Sequence, residues 1–379
     1  MKLWAISCFI ALFSYASTAL SQTKMCAVGD TVCSLDSTIS GEVRMQETES
    51  LREKVEQFLS SDDSDPFFNT SNPHIYVNIA EDMLRYPELL ELAESVVKKG
   101  IEVNTIENLQ RSFGTIFPDW DQATSEHQQK LEFGRLYSLY AWMLWKQHKS
   151  EEALKTIKRA MDYKSAPSSD DYLRLGVIEY DTGKKRQGWE HVVKALMMDT
   201  IIEERDPGYR LAVSDVVTDK YGIEIDPAPF ISEYRIQHAE MLPDWDLVSL
   251  DGARIGFDQY QGQVLLLNFF SPTCGSCRQE ITGLKELYLT FSPREDVAFL
   301  FVLNKPDLKQ EALALLEQSG IHSSTIVTLE NGSVYDLISG EPSIWIADKA
   351  GKVVFRHSGY EQGDELIYRR ELSKFSRSQ

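Results

Sequence analysis

Between Pro73 and Lys220 the apolar residues recur three and four positions apart, the spacing of one helical face. DMLRYPELLELAESVVKKG shows it clearly: Pro87 suits the first turn of a new helix, and Gly100 is expected to end it. Before this region, LREKVEQFL has helical spacing, and SSDDSDPFFNTSNP reads as a polar loop. The pattern changes in DPAPFISEYRIQHAEMLPDWDL, where Pro227, Pro229 and Pro243 interrupt it. Beyond it the period shortens. QVLLLNFF (Gln263–Phe270) and DVAFLFVLN (Asp296–Asn304) are continuous apolar runs of strand length, as expected of buried central strands. Helical spacing follows each: ITGLKELYLTF after the first, and DLKQEALALLEQSG, ended by Gly320, after the second. PSIWIAD and KVVFRHSG read as two strands joined by Lys349-Ala350-Gly351. A last helix is expected from about Asp364 to Phe375. The order strand, helix, strand, helix, hairpin, helix makes the expected fold class α+α/β: an all-helical region followed by an α/β/α domain.

The helical region contains an internal repeat. Aligning Tyr140-Ala141 with Leu175-Gly176 places Ala153 over Gly188, Ile157 over Val192 and Ala160 over Ala195, an offset of 35 residues. Small residues at Ala141, Gly176, Ala153 and Gly188 let antiparallel helices approach closely, and the branched residues between them fill the groove. The pattern resembles tetratricopeptide repeats, whose period is about 34 residues. The resemblance implies a concave surface for a peptide or protein ligand; a helical solenoid that only spaces the chain fits equally well. Trp142, Met143 and Trp145 are candidates to line such a groove, although aromatics at helical spacing are more often core.

Composition narrows the classes. The chain has 379 residues with a formal charge of −19, from 58 acidic and 39 basic side chains. Such a chain repels phosphate backbones, which argues against a nucleic-acid partner. Residues 1–21 carry Lys2, an apolar run from Leu3 to about Ala16 and small residues at Ala19 and Ser21 (or Ser17 and Ala19), the layout of a secretory signal peptide. The expected location is therefore periplasmic, as a soluble protein without Cys8. The expected division is 1–21 signal peptide, 22–72 polar segment, 73–225 repeat domain, 226–241 linker and 242–379 thioredoxin-like domain. In an oxidising compartment Cys26 and Cys33 are expected to close a small structural disulfide, with Gly29 and Asp30 at its turn; two separate thiols are the alternative.

The chemistry centres on Cys274-Gly275-Ser276-Cys277, placed between a buried strand and a helix. At a helix N-terminus the backbone N–H groups and the macrodipole favour thiolate over thiol, so Cys274 is the expected nucleophile. Cys277, one turn on, can attack the mixed disulfide and release the partner. A zinc site needs about four ligands. No second cysteine pair or histidine cluster is near in sequence, since His322 and His357 are single, so no metal and no cofactor are expected.

The stretch PDWDLVSLDGARIGFDQYQGQVLLLNFFSPTCGSCRQEI resembles the entry of TlpA-like thioredoxin-fold proteins, the exported thiol–disulfide oxidoreductases related to ResA. The matching residues are Pro243, Gly262, Asn268, Cys274, Cys277, Arg278 and Glu280; GEPSIWIADKAGKVVFRHSGY matches the family's later strand–turn–strand. The resemblance covers about residues 241–379. It implies a cis-proline at Pro342, lying across from the cysteine pair, and leaves the backbone of Glu341 to meet an extended substrate. It also implies that Glu280 exchanges protons with the cysteines, because Asn268 stands where thioredoxins carry a buried Asp. Otherwise Glu280 is a surface carboxylate near Lys285. Glu341 and Thr273 are the expected substrate contacts. The sequence departs from the family at Thr273, where Trp is usual, at Gly275-Ser276, where Pro is frequent, and at Gly283, which replaces a helix proline. The implied activity is reduction of protein disulfides, with electrons from an upstream donor such as a membrane thiol reductase. A repeat scaffold with little redox activity is the alternative, and a thiol peroxidase on the same fold a weaker one.

Overall fold

The computed structural model describes residues 48–61, 70–114, 120–202, 207–222, 227–245, 247–322, 325–329, 338 and 340–377. The expected signal peptide, Cys8 and the Cys26–Cys33 pair lie outside the described residues. The chain divides into two compact units, residues 1–143 and 144–379.

The first unit is helical. Its helices are α1 (48–60), α2 (Pro73–Met83), α3 (Leu90–Val103), α4 (Ile106–Phe113) and α5 (Gln122–Lys146), the last of which runs into the second unit. Pro73 occupies the first turn of α2, where a missing N–H costs nothing, and Asn72 accepts from the His74 N–H at 3.0 Å to cap it. Pro87 opens a short turn of tighter helix that leads into α3, as its position suggests. Gly100 does not end that helix, which continues to Val103. Its role is packing: a Cβ there would lie 2.7 Å from Tyr76 Cβ and 2.8 Å from Leu136 Cδ2, so only glycine lets α3 close on these side chains.

The second unit begins with a helical layer: α6 (Ser150–Asp162), α7 (Ser169–Asp181), α8 (Lys185–Met198), α9 (Pro207–Tyr221) and α10 (Pro227–His238). Ser168 and Asp171 form a reciprocal capping box at the start of α7. Where α7 meets α8 the small residues act as expected: a Cβ on Gly188 would sit 2.5 Å from the Gly176 carbonyl oxygen. The proline-rich break holds a helix of its own. Pro227 and Pro229 fall in the first turn of α10, where proline is tolerated.

The remainder is a mixed sheet between helices. Its elements are β1 (Leu247–Ser249), β2 (Arg254–Ile255), β3 (Val264–Phe270), α11 (Gly275–Phe291), β4 (Val297–Leu303), α12 (Lys309–Gln318), β5 (Ile326–Leu329), β6 (Ser343–Ala347), β7 (Val353–Ser358) and α13 (Asp364–Arg377). The strand order among described residues is β2-β1-β5-β4-β3-β6-β7. β3, β4 and β5 are parallel neighbours, while β6 runs antiparallel beside β3 and β7 antiparallel beside β6. This is a thioredoxin fold with an added β1–β2 hairpin.

Alternation along the central strand builds both faces of the core. Val264, Leu266 and Phe270 pack with Ile281, Leu284 and Tyr368 of α11 and α13. Leu265, Leu267 and Phe269 pack with Leu300, Trp345 and Val353 on the other side. Asn268 shares the parity of Leu266 and Phe270, so it projects under α11 as a polar side chain in an apolar layer. The edge strand β7 is closed by the residues after α8: Thr200 N donates to Arg356 O at 2.7 Å, and Arg356 N donates to Thr200 Oγ1 at 3.2 Å.

Candidate functional site

The site forms where β3 ends and α11 starts. Cys274 is the N-cap of α11, with extended backbone (φ −78°, ψ 121°), and its sulfur accepts the Cys277 N–H at 3.1 Å. A sulfur in the capping position takes one of the helix's orphan donors, and negative charge on that sulfur is favoured by the same donors. Ser276 Oγ lies 3.3 Å from it. Cys274 is half-buried whereas Cys277 is fully buried in the core beneath α11. The two are joined as a disulfide with Cα atoms 5.2 Å apart. The asymmetry assigns them different access: a partner can reach Cys274 and cannot reach Cys277.

Glu341 meets this pair from the turn before β6. The Glu341–Pro342 peptide bond is cis. A Glu341 carboxylate oxygen lies within 4.8 Å of both cysteine sulfurs, and Asn304, at the end of β4, donates its side-chain N–H to the Glu341 carboxylate. Thr273 is exposed next to Cys274, with its hydroxyl 3.0 Å from Ser271 Oγ. Cys274, Cys277 and Glu341 are thus brought together, with Thr273 and Pro342 as their chain neighbours.

Glu280 is not a surface carboxylate, and Lys285 is not its partner. It is fully buried, one turn beyond Cys277 on α11. Asn268 Nδ2 donates to one carboxylate oxygen at 2.5 Å, and Tyr368 of α13 donates its hydroxyl to the other at 3.0 Å. Burial raises the Glu280 pKa to about 8, against the opposing pull of the Tyr368 and Asn268 hydrogen bonds and the charge of His357. The carboxyl is therefore balanced near neutrality: burial favours the acid, while two donors serve the anion. Burial and the Glu280 charge push the Tyr368 hydroxyl well above its usual range, so it stays a donor.

His357 on β7 stands behind Tyr368, their rings 6.1 Å apart. Its Nδ1 is 3.4 Å from Asp199 Oδ1, and its Nε2 is 3.1 Å from Asp364 Oδ2. Burial opposes its charge, but the hydrogen bonds and charges of the two aspartates prevail and raise its pKa to about 9. Sequence reasoning found neither Tyr368 nor the His357 group. Tyr368 and Leu372 sit four residues apart on the buried stripe of α13, which marks them as core; a hydroxyl aimed at a carboxylate leaves no trace in that spacing.

Fold and site define a thioredoxin-fold domain with an N-capping Cys-x-x-Cys. Residues 239–356 match the model of the AhpC/TSA family. The chain is 21% identical over 140 residues to the thioredoxin-like protein YneN of Bacillus subtilis, a match covering 37% of this chain and 82% of that protein. It is 28% identical over 156 residues to the thiol:disulfide interchange protein DsbE of Allochromatium vinosum, covering 40% and 81%. It is 20% identical over 162 residues to the thiol-disulfide oxidoreductase ResA of Bacillus cereus, covering 42% and 91%. Among solved structures, the thioredoxin domain of a thiol-disulfide oxidoreductase from Bacteroides vulgatus aligns with a TM-score of 0.32 and 22% identity, over 37% of this chain and 97% of that one. No helix among the described residues is long and apolar enough to cross a membrane.

Proposed function

We propose that the protein is an exported thiol–disulfide oxidoreductase that reduces disulfides of envelope proteins. The observation that carries this reading is the placement of the two sulfurs: Cys274 half-exposed at the α11 N-cap, accepting the Cys277 N–H at 3.1 Å, and Cys277 buried behind it. In the reduced protein the Cys274 thiolate attacks a partner disulfide. A Cys274–partner S–S bond forms, the partner's S–S bond breaks, and the leaving sulfur takes a proton from solvent. Glu280 takes the Cys277 proton, and the Cys277 sulfur displaces the partner's second thiolate from Cys274. The Cys274–Cys277 disulfide results, and an upstream thiol donor returns two electrons to it. Thr273 and Glu341 border the entering chain, and Pro342 shapes the wall opposite the pair. The names of the DsbE and ResA relatives support the reaction class.

The helical region, residues 73–225, is proposed to hold or orient a protein or peptide partner while the thioredoxin-like domain exchanges disulfides with it. The cysteine chemistry is tested by Cys277→Ser, which stops the second displacement. Wild-type protein should reduce insulin in the presence of a dithiol donor. The variant should accumulate partners as mixed disulfides on Cys274, and Cys274→Ser should do neither. Absence of both turnover and trapped partners would overturn the reading.

A further inference from the structure

Three donor atoms of a kind that binds metals converge at the mouth of the site. Cys274 Sγ, Cys277 Sγ and one Glu341 carboxylate oxygen all lie within 4.8 Å of one another. The sequence places no second cysteine pair or histidine cluster near these two cysteines; the fold brings a carboxylate to them from the turn before β6. Asn304 holds the Glu341 carboxylate from behind, as outer-shell groups hold metal ligands.

We propose that the dithiol form of this site binds one Zn²⁺ through Cys274, Cys277 and Glu341. The inference rests on the redox reading only in taking the pair as reducible. A thiol or phosphine reductant gives two electrons to the disulfide and leaves oxidised, producing two thiols. Zinc then displaces both thiol protons to solvent; two S–Zn bonds and one O–Zn bond form, and the metal keeps its oxidation state. Zinc takes sulfur at about 2.3 Å and carboxylate oxygen at about 2.0–2.2 Å in a tetrahedron. Ligand-to-ligand edges of roughly 3.5–3.8 Å follow from those lengths; the Glu341 oxygen already stands within 4.8 Å of both sulfurs, and the sulfurs, bonded to each other in the disulfide, part to that edge once reduced.

Charge gives the physical reason. In the fully ionised reduced site, two thiolates face a carboxylate, and each anion opposes the others. A divalent cation relieves that repulsion. Two sulfurs and one oxygen suit a borderline-soft ion such as zinc, whereas magnesium and calcium take oxygen ligands. Three protein ligands leave the fourth tetrahedral position open to water or to a partner's thiolate. Bound zinc would occupy both sulfurs at once, so it would hold the reduced pair out of disulfide exchange and shield it from oxidants.

The test uses the full chain, reduced with a phosphine and titrated with Co²⁺, then back-titrated with Zn²⁺. The expected result is one cobalt per chain, with sulfur-to-cobalt charge-transfer absorption that zinc abolishes. The Cys274→Ser/Cys277→Ser double variant should lose this absorption; any signal it keeps comes from Cys8, Cys26 or Cys33 and is subtracted. Glu341→Gln should weaken binding by at least about tenfold while keeping the wild-type unfolding midpoint. Equal affinity in Glu341→Gln, absorption in the oxidised protein, or one metal shared between two chains would each overturn the proposal. Insulin reduction is measured in parallel without metal. Turnover without cobalt binding defeats the zinc site alone, whereas loss of both defeats the redox reading as well.

Discussion

Glu280 is a carboxyl that the fold has removed from water without removing its partners. Asn268 and Tyr368 each donate to one of its oxygens, so the anion is served, yet burial sets its pKa at about 8. Asn268 Oδ1 has no hydrogen-bond partner among the described residues, which leaves an acceptor inside the same pocket. In the proposed exchange, a group balanced in this way takes the Cys277 proton and returns it at physiological pH. Ionised Glu280 is the form that accepts the proton, so the release of a mixed disulfide should accelerate as pH rises through about 8. Glu280→Gln keeps the shape and cannot take the proton: the release step should slow by about a hundredfold, and this limb of its pH profile should vanish. Tyr368→Phe removes a donor that favours the anion, so the limb should move upward by roughly one pH unit. Single-turnover release of a preformed Cys274 mixed disulfide, followed against pH, separates the two. A limb that persists in Glu280→Gln belongs to the cysteines instead.

Among the elements, the closest contact with a clear steric limit is between α7 and α8. A Cβ on Gly188 would stand 2.5 Å from the Gly176 carbonyl oxygen and 2.6 Å from the Tyr180 backbone nitrogen. Backbone cannot yield as a flexible side chain does, so Gly188→Ala should destabilise the unit by about 1–3 kcal/mol through overpacking. Gly275→Ala, whose added Cβ meets nothing within 4 Å, should leave the unfolding free energy within about 0.5 kcal/mol of wild type. Urea unfolding of both variants checks the contrast. The same glycine pair shows what the sequence made legible: two small residues in register between helical stripes mark a tight crossing, and the structure has one there. The long apolar runs of β3 and β4, the hairpin turn at Gly351 and the cysteine pair between strand and helix were legible for the same reason, since each pattern has one physical solution. β1, β2 and β5 were not. They span three, two and four residues, too short for a period to emerge, and they depend on neighbouring strands for their hydrogen bonds. At the site, the carboxyl of Glu280 could be located by its spacing from Cys277. Its burial, its Tyr368 partner and the approach of Glu341 depend on contacts between distant segments.

At the scale of the whole molecule, His357 ties three segments of the second unit together. Asp199 follows α8, Asp364 opens α13, and His357 on β7 lies between them with only 2% of its surface exposed. Tyr368 packs beside the imidazole, and Glu280, bonded to Tyr368, adds its charge when ionised. The His357 pKa is raised from 6.5 to about 9, so the protonated form is the one that the native structure favours. The sign of the linkage follows. Below pH 6.5 the side chain is protonated both folded and unfolded, and its contribution is complete; between 6.5 and about 9 the unfolded chain releases a proton that the native protein keeps, and stability falls. The loss should be on the order of 3 kcal/mol if the whole shift is expressed. Glu280, whose pKa is raised from 4.5 to about 8, acts in the same direction over a lower window, so the wild-type slope contains both groups. His357→Gln separates them. It places a neutral amide between a buried and a partly buried carboxylate, so the variant should be least stable relative to wild type below pH 6.5, and the gap should close as pH approaches 9. Urea midpoints of wild type, His357→Gln and Glu280→Gln across that range measure this directly. A gap between wild type and His357→Gln that stays constant with pH would mean that His357 is held neutral, and that the contact between α8, β7 and α13 depends on packing rather than on charge.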